Sequence, residues 1–262
     1  MSNNNAVDVS FILPSIRINN WQNLYESIQK SFTLGSWEVV FVGPYNNPKQ
    51  LEFAHNVKCI SDWGSPTRCR HIGLLNSTGK WMCYASDDLT LFPGSVDQAF
   101  ARTQKVDYKT IILCKYFEGA INNPEMLTDQ YYKFGYHGAF NYVTQWIPKD
   151  YWLIQSGLVT TQLLKEIGGW DWRFEGCAMA CSDLAVRLQN YGTKIIVHDS
   201  PLGSHTHVPG ISGDHAPIHY AQTLHDEPLF NHIYSDLSNL NRTKIDIENW
   251  KNSPEKWSRR FS

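Results

Sequence analysis

One short run constrains this chain more than any other. Trp81 to Ala85 (WMCYA) is apolar with no polar alternation, and it stops abruptly at Ser86-Asp87-Asp88. A short apolar run of that kind predicts a strand buried on both faces, the pattern of a parallel sheet covered by helices. Acids at the carboxyl end of such a strand lie where open α/β sheets bind ligands. Two neighbouring carboxylates are costly there unless something positive neutralises them, and a divalent cation bridging a diphosphate does so. A solvated loop, closed by the turn signal Pro93-Gly94, is the other reading of an isolated Asp-Asp. Just upstream, Arg70 to Asn76 carries Ile72, Leu74 and Leu75 on an apolar side and is stopped by Ser77-Thr78-Gly79, so a helix leads into the strand.

The rest of the chain supplies elements that fit such a sheet. Val7 to Leu13 reads as a strand ending at Pro14-Ser15, and Trp21 to Phe32 as a helix with apolar residues at 21, 24, 25, 28 and 32. Trp37 to Val42 is a second strand closed by Gly43-Pro44. Strand, helix and strand at this spacing make a βαβ unit with a right-handed crossover. Val57 to Ile60 is a short third strand, Ser95 to Gln104 a helix and Thr110 to Lys115 a further strand. Residues 117 to 150 have no clear period. Their Tyr131, Tyr132, Tyr136 and Trp146 either line a groove or pack inside. Thr161 to Ile167 is helical and stopped by Gly168-Gly169. Helix resumes over Ser182 to Gln189, with Ser182-Asp183 as its opening cap. Lys194 to His198 is a strand, followed by His205 and His207, which share a face if that segment is extended. Ile218 to Leu240 reads as one or two helices.

Composition excludes several classes. With 23 Lys and Arg against 25 Asp and Glu, the net charge of −2 gives no electrostatic ground for a nucleic-acid partner. The six cysteines contain no Cys-x-x-Cys pair, which argues against a zinc ribbon or a thioredoxin-like site. The opening MSNNNAVDVS has no basic-then-apolar signal segment, and no apolar run is long enough to span a bilayer. The expectation is a cytoplasmic chain with reduced thiols and no transmembrane segment. Its Trp-bearing basic tail, Trp250 to Phe261, either touches a membrane surface peripherally or packs on the domain.

The central stretch resembles the nucleotide-sugar-dependent glycosyltransferases of the GT-A fold, above all the large inverting family two. That family runs Ala-Arg-Asn-x-Gly, Ala-Thr-Gly-Glu-Tyr, an apolar strand and Asp-x-Asp, with a Pro a few residues on. Here the matching residues are Cys69-Arg70-His71-Ile72-Gly73, Ser77-Thr78-Gly79-Lys80-Trp81, Met82 to Ala85, Ser86-Asp87-Asp88 and Pro93, without a gap. A second block matches the family's Gly-Gly-Phe-Asp-Glu and its later Glu-Asp-x-x-Leu-x-x-Arg-Leu. The residues are Gly168-Gly169-Trp170-Asp171-Trp172 and Ser182-Asp183-Leu184-Ala185-Val186-Arg187-Leu188.

The resemblance implies a GT-A α/β fold with a mostly parallel central sheet flanked by helices. A glycosyltransferase domain would span residues 1–213, with a nucleotide-sugar half to about 115 and an acceptor half over 116–213. A helical extension would follow over 214–262. It implies a nucleotide-sugar site at Pro14, Ser15, Arg17, Asp62, Arg70, His71, Ser86 and Asp87, and a divalent cation, Mn2+ or Mg2+, on Asp88 with His205 or His207. Acceptor contacts would come from Trp170, Asp171 and Arg187. Asp183 would be the base that activates the acceptor hydroxyl for one inverting displacement. The implied donor is a nucleoside-diphosphate sugar, a UDP-sugar first, and the acceptor a glycan, a lipid-linked or another hydroxyl. Ser86 and Ser182 stand where the family has acids. They raise a second class, a catalytically inactive relative that binds nucleotide-sugar or glycan. A nucleotidyltransferase is the third, although Pro14-Ser15-Ile16-Arg17 is not its Gly-rich phosphate loop.

Overall fold

The computed structural model describes residues 7–45, 54–118, 125–126, 133, 147–205 and 216–246. The four segments β1 (Val9–Pro14), β2 (Trp37–Gly43), β3 (Val57–Ser61) and β4 (Trp81–Tyr84) form parallel strands, the first, second and fourth largely apolar. They lie in the order β3-β2-β1-β4, with Ile12 of β1 beside Val40 on one side and Tyr84 on the other. Every residue of β4 is buried, as its unbroken apolarity requires. Helix α1 (Trp21–Ser31) buries Trp21, Leu24, Tyr25 and Ile28 on one face of this half-sheet. Helix α2 (Pro66–Asn76) opens with Ser65 accepting from Arg68 N at 3.2 Å and Pro66 in its first turn, and it lies along β1 and β2.

Beyond β4 the sheet is mixed, which corrects the mostly parallel expectation. Strand β5 (Leu89–Leu91) is followed by helix α3 (Ser95–Thr103), β6 (Thr110–Glu118), β7 (Glu125–Met126), β8 (Gly157–Thr160) and helix α4 (Thr161–Glu166). The order continues β4-β8-β6-β9-β5, where β9 is Lys194–His205 and β7 pairs with β6. Strand β8 is antiparallel to both β4 and β6, and β5 is antiparallel to β9. Among the described residues no helix separates β6 from β8. The chain leaves along β6 and returns along β8 in the opposite direction, which is what their antiparallel pairing records. Gly157 permits the tight entry: its φ is +140°, and a Cβ there would stand 2.1 Å from the Ile112 carbonyl oxygen.

Helix α5 runs Cys177–Asn190, so Ser182 and Asp183 sit inside it. That overturns their reading as its opening cap. The helix begins instead after Gly176, with no side-chain cap of its own. The chain ends, as far as it is described, in helix α6 (Ala216–Ala221), a π-helical turn Gln222–Asp226, helix α7 (Glu227–Ser235) and a 3-10 turn Leu237–Asn241. Phe230, Ile233 and Tyr234 of α7 share one core cluster with Leu163, Trp170, Phe174 and Leu184. Helix α7 thus contributes to that core. All six cysteines are free thiols.

Candidate functional site

The carboxyl ends of β1, β2 and β4 open on a cleft of about 210 Å3 lined by Pro14 to Arg17, Val42 to Pro44, Gly64, Pro66, Cys69, Arg70, Ser86 to Asp88, Cys177, His205 and Ile218. Its location is the one that parallel strands ending together predict.

One wall is the loop between β1 and α1, and Asp87 holds it. The carboxylate accepts from Ser15 Oγ at 2.8 Å, Ile16 N at 3.0 Å and Arg17 N at 2.9 Å, and it pairs with the Arg17 guanidinium. Asn20 Nδ2 donates to the Asp87 carbonyl oxygen at 2.9 Å, and Trp21 Nε1 to Ser15 Oγ at 2.5 Å. Asp87 lines the cleft and at the same time clasps this loop, and charge-assisted bonds of this kind are the strong ones. Gly43 completes the wall, because a Cβ there would meet the Ser15 carbonyl oxygen at 2.0 Å.

At the other side Asp88 meets His205. Register places them together, since Leu89 of β5 pairs with His205 of β9. His205 Nδ1 lies 3.0 Å from Ser86 Oγ and 3.5 Å from Asp88 Oδ1, and Ser86 Oγ donates to Asp88. Burial opposes the charge on Asp88. The hydrogen bond and charge of His205, the Ser86 hydroxyl and Arg17 outweigh it and hold the carboxyl far below the usual range. A carboxylate beside an imidazole is a donor set that suits a divalent cation. Among the described residues no group of three or more His, Cys, Asp or Glu that could hold a metal ion forms. Ser86 is hydrogen-bonded to that pair and supplies no charge of its own.

The other expected residues part company here. Pro14, Ser15, Arg17, Arg70, Ser86, Asp87, Asp88 and His205 all line the cleft. Asp62 stands behind its rim, with its carboxylate tied to Arg68 Nε and Nη2 at 3.1 Å and to Gly64 N at 2.8 Å. His71 has no exposed surface and does not line the cleft, against expectation. Burial, helped by the Arg187 charge, pushes it down to about 4 and keeps it neutral. Trp170 is also fully buried, edge-on to Tyr84 at 5.7 Å, and so presents no face to an acceptor.

Asp183 and Arg187 are fully buried as well, and they form a network. Arg187 Nε donates to Asp183 at 2.7 Å, and its Nη1 and Nη2 donate to the carbonyl oxygens of Ile167 and Gly169 at 3.1 and 2.6 Å. Tyr234 donates to the other Asp183 oxygen at 2.8 Å, and Arg242 Nη1 reaches it at 3.1 Å. Arg242 Nη2 also binds Asp171 at 2.7 Å, and Arg173 binds Asp171 at 2.6 Å. Burial alone would raise Asp171, but the hydrogen bond and charge of Arg173, with Arg242, bring it down to about 2. The expected base and the expected acceptor residues are thus the ion-paired seam that joins α5 to the chain's last described segment. None of them lines the cleft.

Sequence reasoning missed the seam's far partners, Tyr234 and Arg242, and also missed Asp226. The Asp226 carboxylate reaches from the π-helical turn to the segment just before α5, accepting from Glu175 N at 2.9 Å and Gly176 N at 2.6 Å, with His225 Nδ1 at 2.8 Å. Thr67 of α2 holds the same peptides from the other side through their carbonyl oxygens. Nothing local to Asp226 signals this contact, because its partners Glu175 and Gly176 lie far earlier in the chain. His207, Tyr131, Tyr132, Tyr136, Trp146 and the tail from Trp250 lie outside the described residues. No helix among the described residues is long and apolar enough to cross a membrane.

Solved structures share this architecture. A crystal structure of S. aureus TarS aligns with a TM-score of 0.58 at 15% identity, covering 89% of this chain and 43% of TarS, so the chain spans less than half of that longer protein. TarS 1-349 in complex with UDP aligns at 0.55 and 16% identity, covering 89% of this chain and 71% of that one. The UDP-GlcNAc complex aligns at 0.58 and 16%, covering 83% and 65%. The chain shares the fold of these TarS structures. No protein-family model matches the sequence, and no curated protein matches it.

Proposed function

We propose that this chain transfers a sugar from a nucleoside-diphosphate donor, a UDP-sugar, to an acceptor hydroxyl. The observation that carries the reading is the cleft itself. A clasped β1–α1 loop, the carboxyl ends of three parallel strands and a carboxylate–imidazole pair converge on it, in a fold shared with TarS structures that hold UDP and UDP-GlcNAc. In this reading Pro14 to Arg17 and Val42 to Pro44 form the seat for base and ribose. Asp88 and His205 would hold a divalent cation, Mn2+ or Mg2+, which when bound offsets the charge that grows on the leaving diphosphate. The β1–α1 loop orients the donor, and Asp87 keeps that loop in place from below.

An inverting displacement needs a base beside the acceptor hydroxyl. Asp183 does not meet that need in this arrangement, since both of its oxygens are committed to Arg187, Tyr234 and Arg242 inside the core. This observation favours one second reading, a donor-binding relative without turnover. Incubation with UDP-GlcNAc, UDP-glucose and UDP-galactose in Mn2+, followed by measurement of released UDP, separates the two. UDP release from any of them supports the transferase. Binding without release supports the second reading, and neither binding nor release would sink both.

A further inference from the structure

The cleft contains one charge that the protein leaves unbalanced. Arg70, near the middle of α2, is 93% buried, with 7% of its surface exposed, and lines the cleft. Arg17, Arg68, Arg173, Arg187 and Arg242 each face a carboxylate within hydrogen-bond range. Among the described residues no carboxylate meets Arg70. Its Nη1 lies 3.2 Å from the Cys181 thiol, its Nη2 a long 3.5 Å from the Ala85 carbonyl oxygen, and its Nε has no partner. The rings of Tyr84 and Trp170 stand 5.3 and 5.7 Å from the guanidinium carbon and hold it without balancing it. A buried guanidinium whose neighbours are thiols, rings and one stretched carbonyl contact pays heavily for desolvation unless an anion arrives.

We propose that Arg70 is the anion receptor of the cleft floor and the direct counter-charge of the donor's diphosphate, so that nucleotide binding persists when the divalent cation is removed. This rests on the proposed donor site and assigns its charge balance. Arg17 cannot take the role, because Asp87 already neutralises it. Asp88 with His205 offers a divalent cation only two protein ligands among the described residues. A diphosphate carries two negative charges when esterified at both ends. A divalent cation less the Asp88 charge leaves one positive charge, and Arg70 supplies the second. A guanidinium also offers paired N–H donors whose fork matches phosphate oxygens.

The test is calorimetric titration of the full chain with UDP, uridine and inorganic pyrophosphate, in EDTA and, for UDP and uridine, also in Mn2+. The wild type is expected to bind UDP in EDTA within about tenfold of its affinity in Mn2+. Arg70→Met should weaken UDP and pyrophosphate in EDTA by at least tenfold and leave uridine unchanged, because uridine carries no phosphate. Arg70→Lys keeps the charge and serves if the Met variant fails to fold; it should retain part of the UDP affinity and lose the rest with the fork. Wild-type binding of UDP that vanishes in EDTA would overturn the proposal. A folded Arg70→Met or Arg70→Lys protein that binds UDP as the wild type does would overturn it too. If UDP binds no better than pyrophosphate, yet pyrophosphate binding depends on Arg70, the anion receptor stands and the nucleotide-sugar reading is what fails.

Discussion

Replacing Asp183 by Asn separates a base from a structural ion pair. The substitution keeps size and shape but removes the charge that faces Arg187 at 2.7 Å and Arg242 at 3.1 Å. Arg187 has no exposed side-chain surface and the Arg242 side chain only 14%, so water cannot take over the lost partner. Breaking one side of a buried pair costs about 3–5 kcal/mol, because the remaining charge stays buried. For a domain of this size that is a fall in Tm of roughly 10 °C. The assay is thermal unfolding of the wild type, Asp183→Asn and Tyr234→Phe, with UDP binding measured on each. Tyr234→Phe removes one hydrogen bond to the same carboxylate and should cost about 1 kcal/mol. Donor binding should survive in whatever fraction remains folded, since none of these groups lines the cleft. An Asp183→Asn protein that melts with the wild type, binds UDP equally and loses only turnover would refute the structural role and restore Asp183 as the base.

Three further outcomes follow. Asp87→Ala frees Ser15, Ile16 and Arg17 together, so UDP affinity should fall by at least tenfold, and limited proteolysis should cut between β1 and α1 where the wild type resists. Burial pushes Asp226 up to about 6 from an ordinary 3.8, against the pull of His225, so the folded protein holds a proton there that the unfolded chain has lost. That contribution to stability falls as pH rises from 3.8 to 6, and the slope should vanish in Asp226→Asn when denaturant melts are compared across that range. His71 works the other way. Held at about 4 against an ordinary 6.5, it makes stability fall as pH drops from 6.5 to 4, and His71→Gln should remove that slope in the same melts.

The half of the fold that carries the cleft was legible in the sequence, and the reason is physical. Strand β4 is a continuous apolar run and β1 and β2 are nearly so, interrupted by Ser10 and Glu38; they are closed by the Ser86-Asp87-Asp88 step, Pro14 and Gly43, and burial on both faces fits them. The antiparallel members were not legible. Leu89–Leu91 and Gly157–Thr160 are too short to show a period, and their partners, His205 and Ile112, are far along the chain. The site divides in the same way. Pro14, Arg17, Asp88 and His205, which the family resemblance named, all line the cleft.

Asp183 misled for a reason visible in the spacing. In the family's Glu-Asp-x-x-Leu-x-x-Arg-Leu the second acid precedes the Arg by six residues, whereas Asp183 precedes Arg187 by four. Four is the spacing of an intrahelical ion pair, and the structure forms that pair. Counted back from Arg187, the family's two acids fall on Ala180 and Cys181, and the Cys181 thiol is the one that meets Arg70. The role of Asp87 was equally hidden, because a carboxylate that fastens a loop and one that faces a ligand look alike until the loop's N–H groups are placed around it.

The most direct measurement is a thermal-shift titration of the full chain against UDP, GDP, CDP and dTDP, each with Mn2+ and with EDTA. A ligand bound only by the folded protein raises its stability by about 2.7 kcal/mol at a hundred times its Kd. The account predicts a shift of several degrees with UDP, larger than with the other three, retained in part in EDTA. No shift with any of the four, in a sample that unfolds cooperatively, would contradict it.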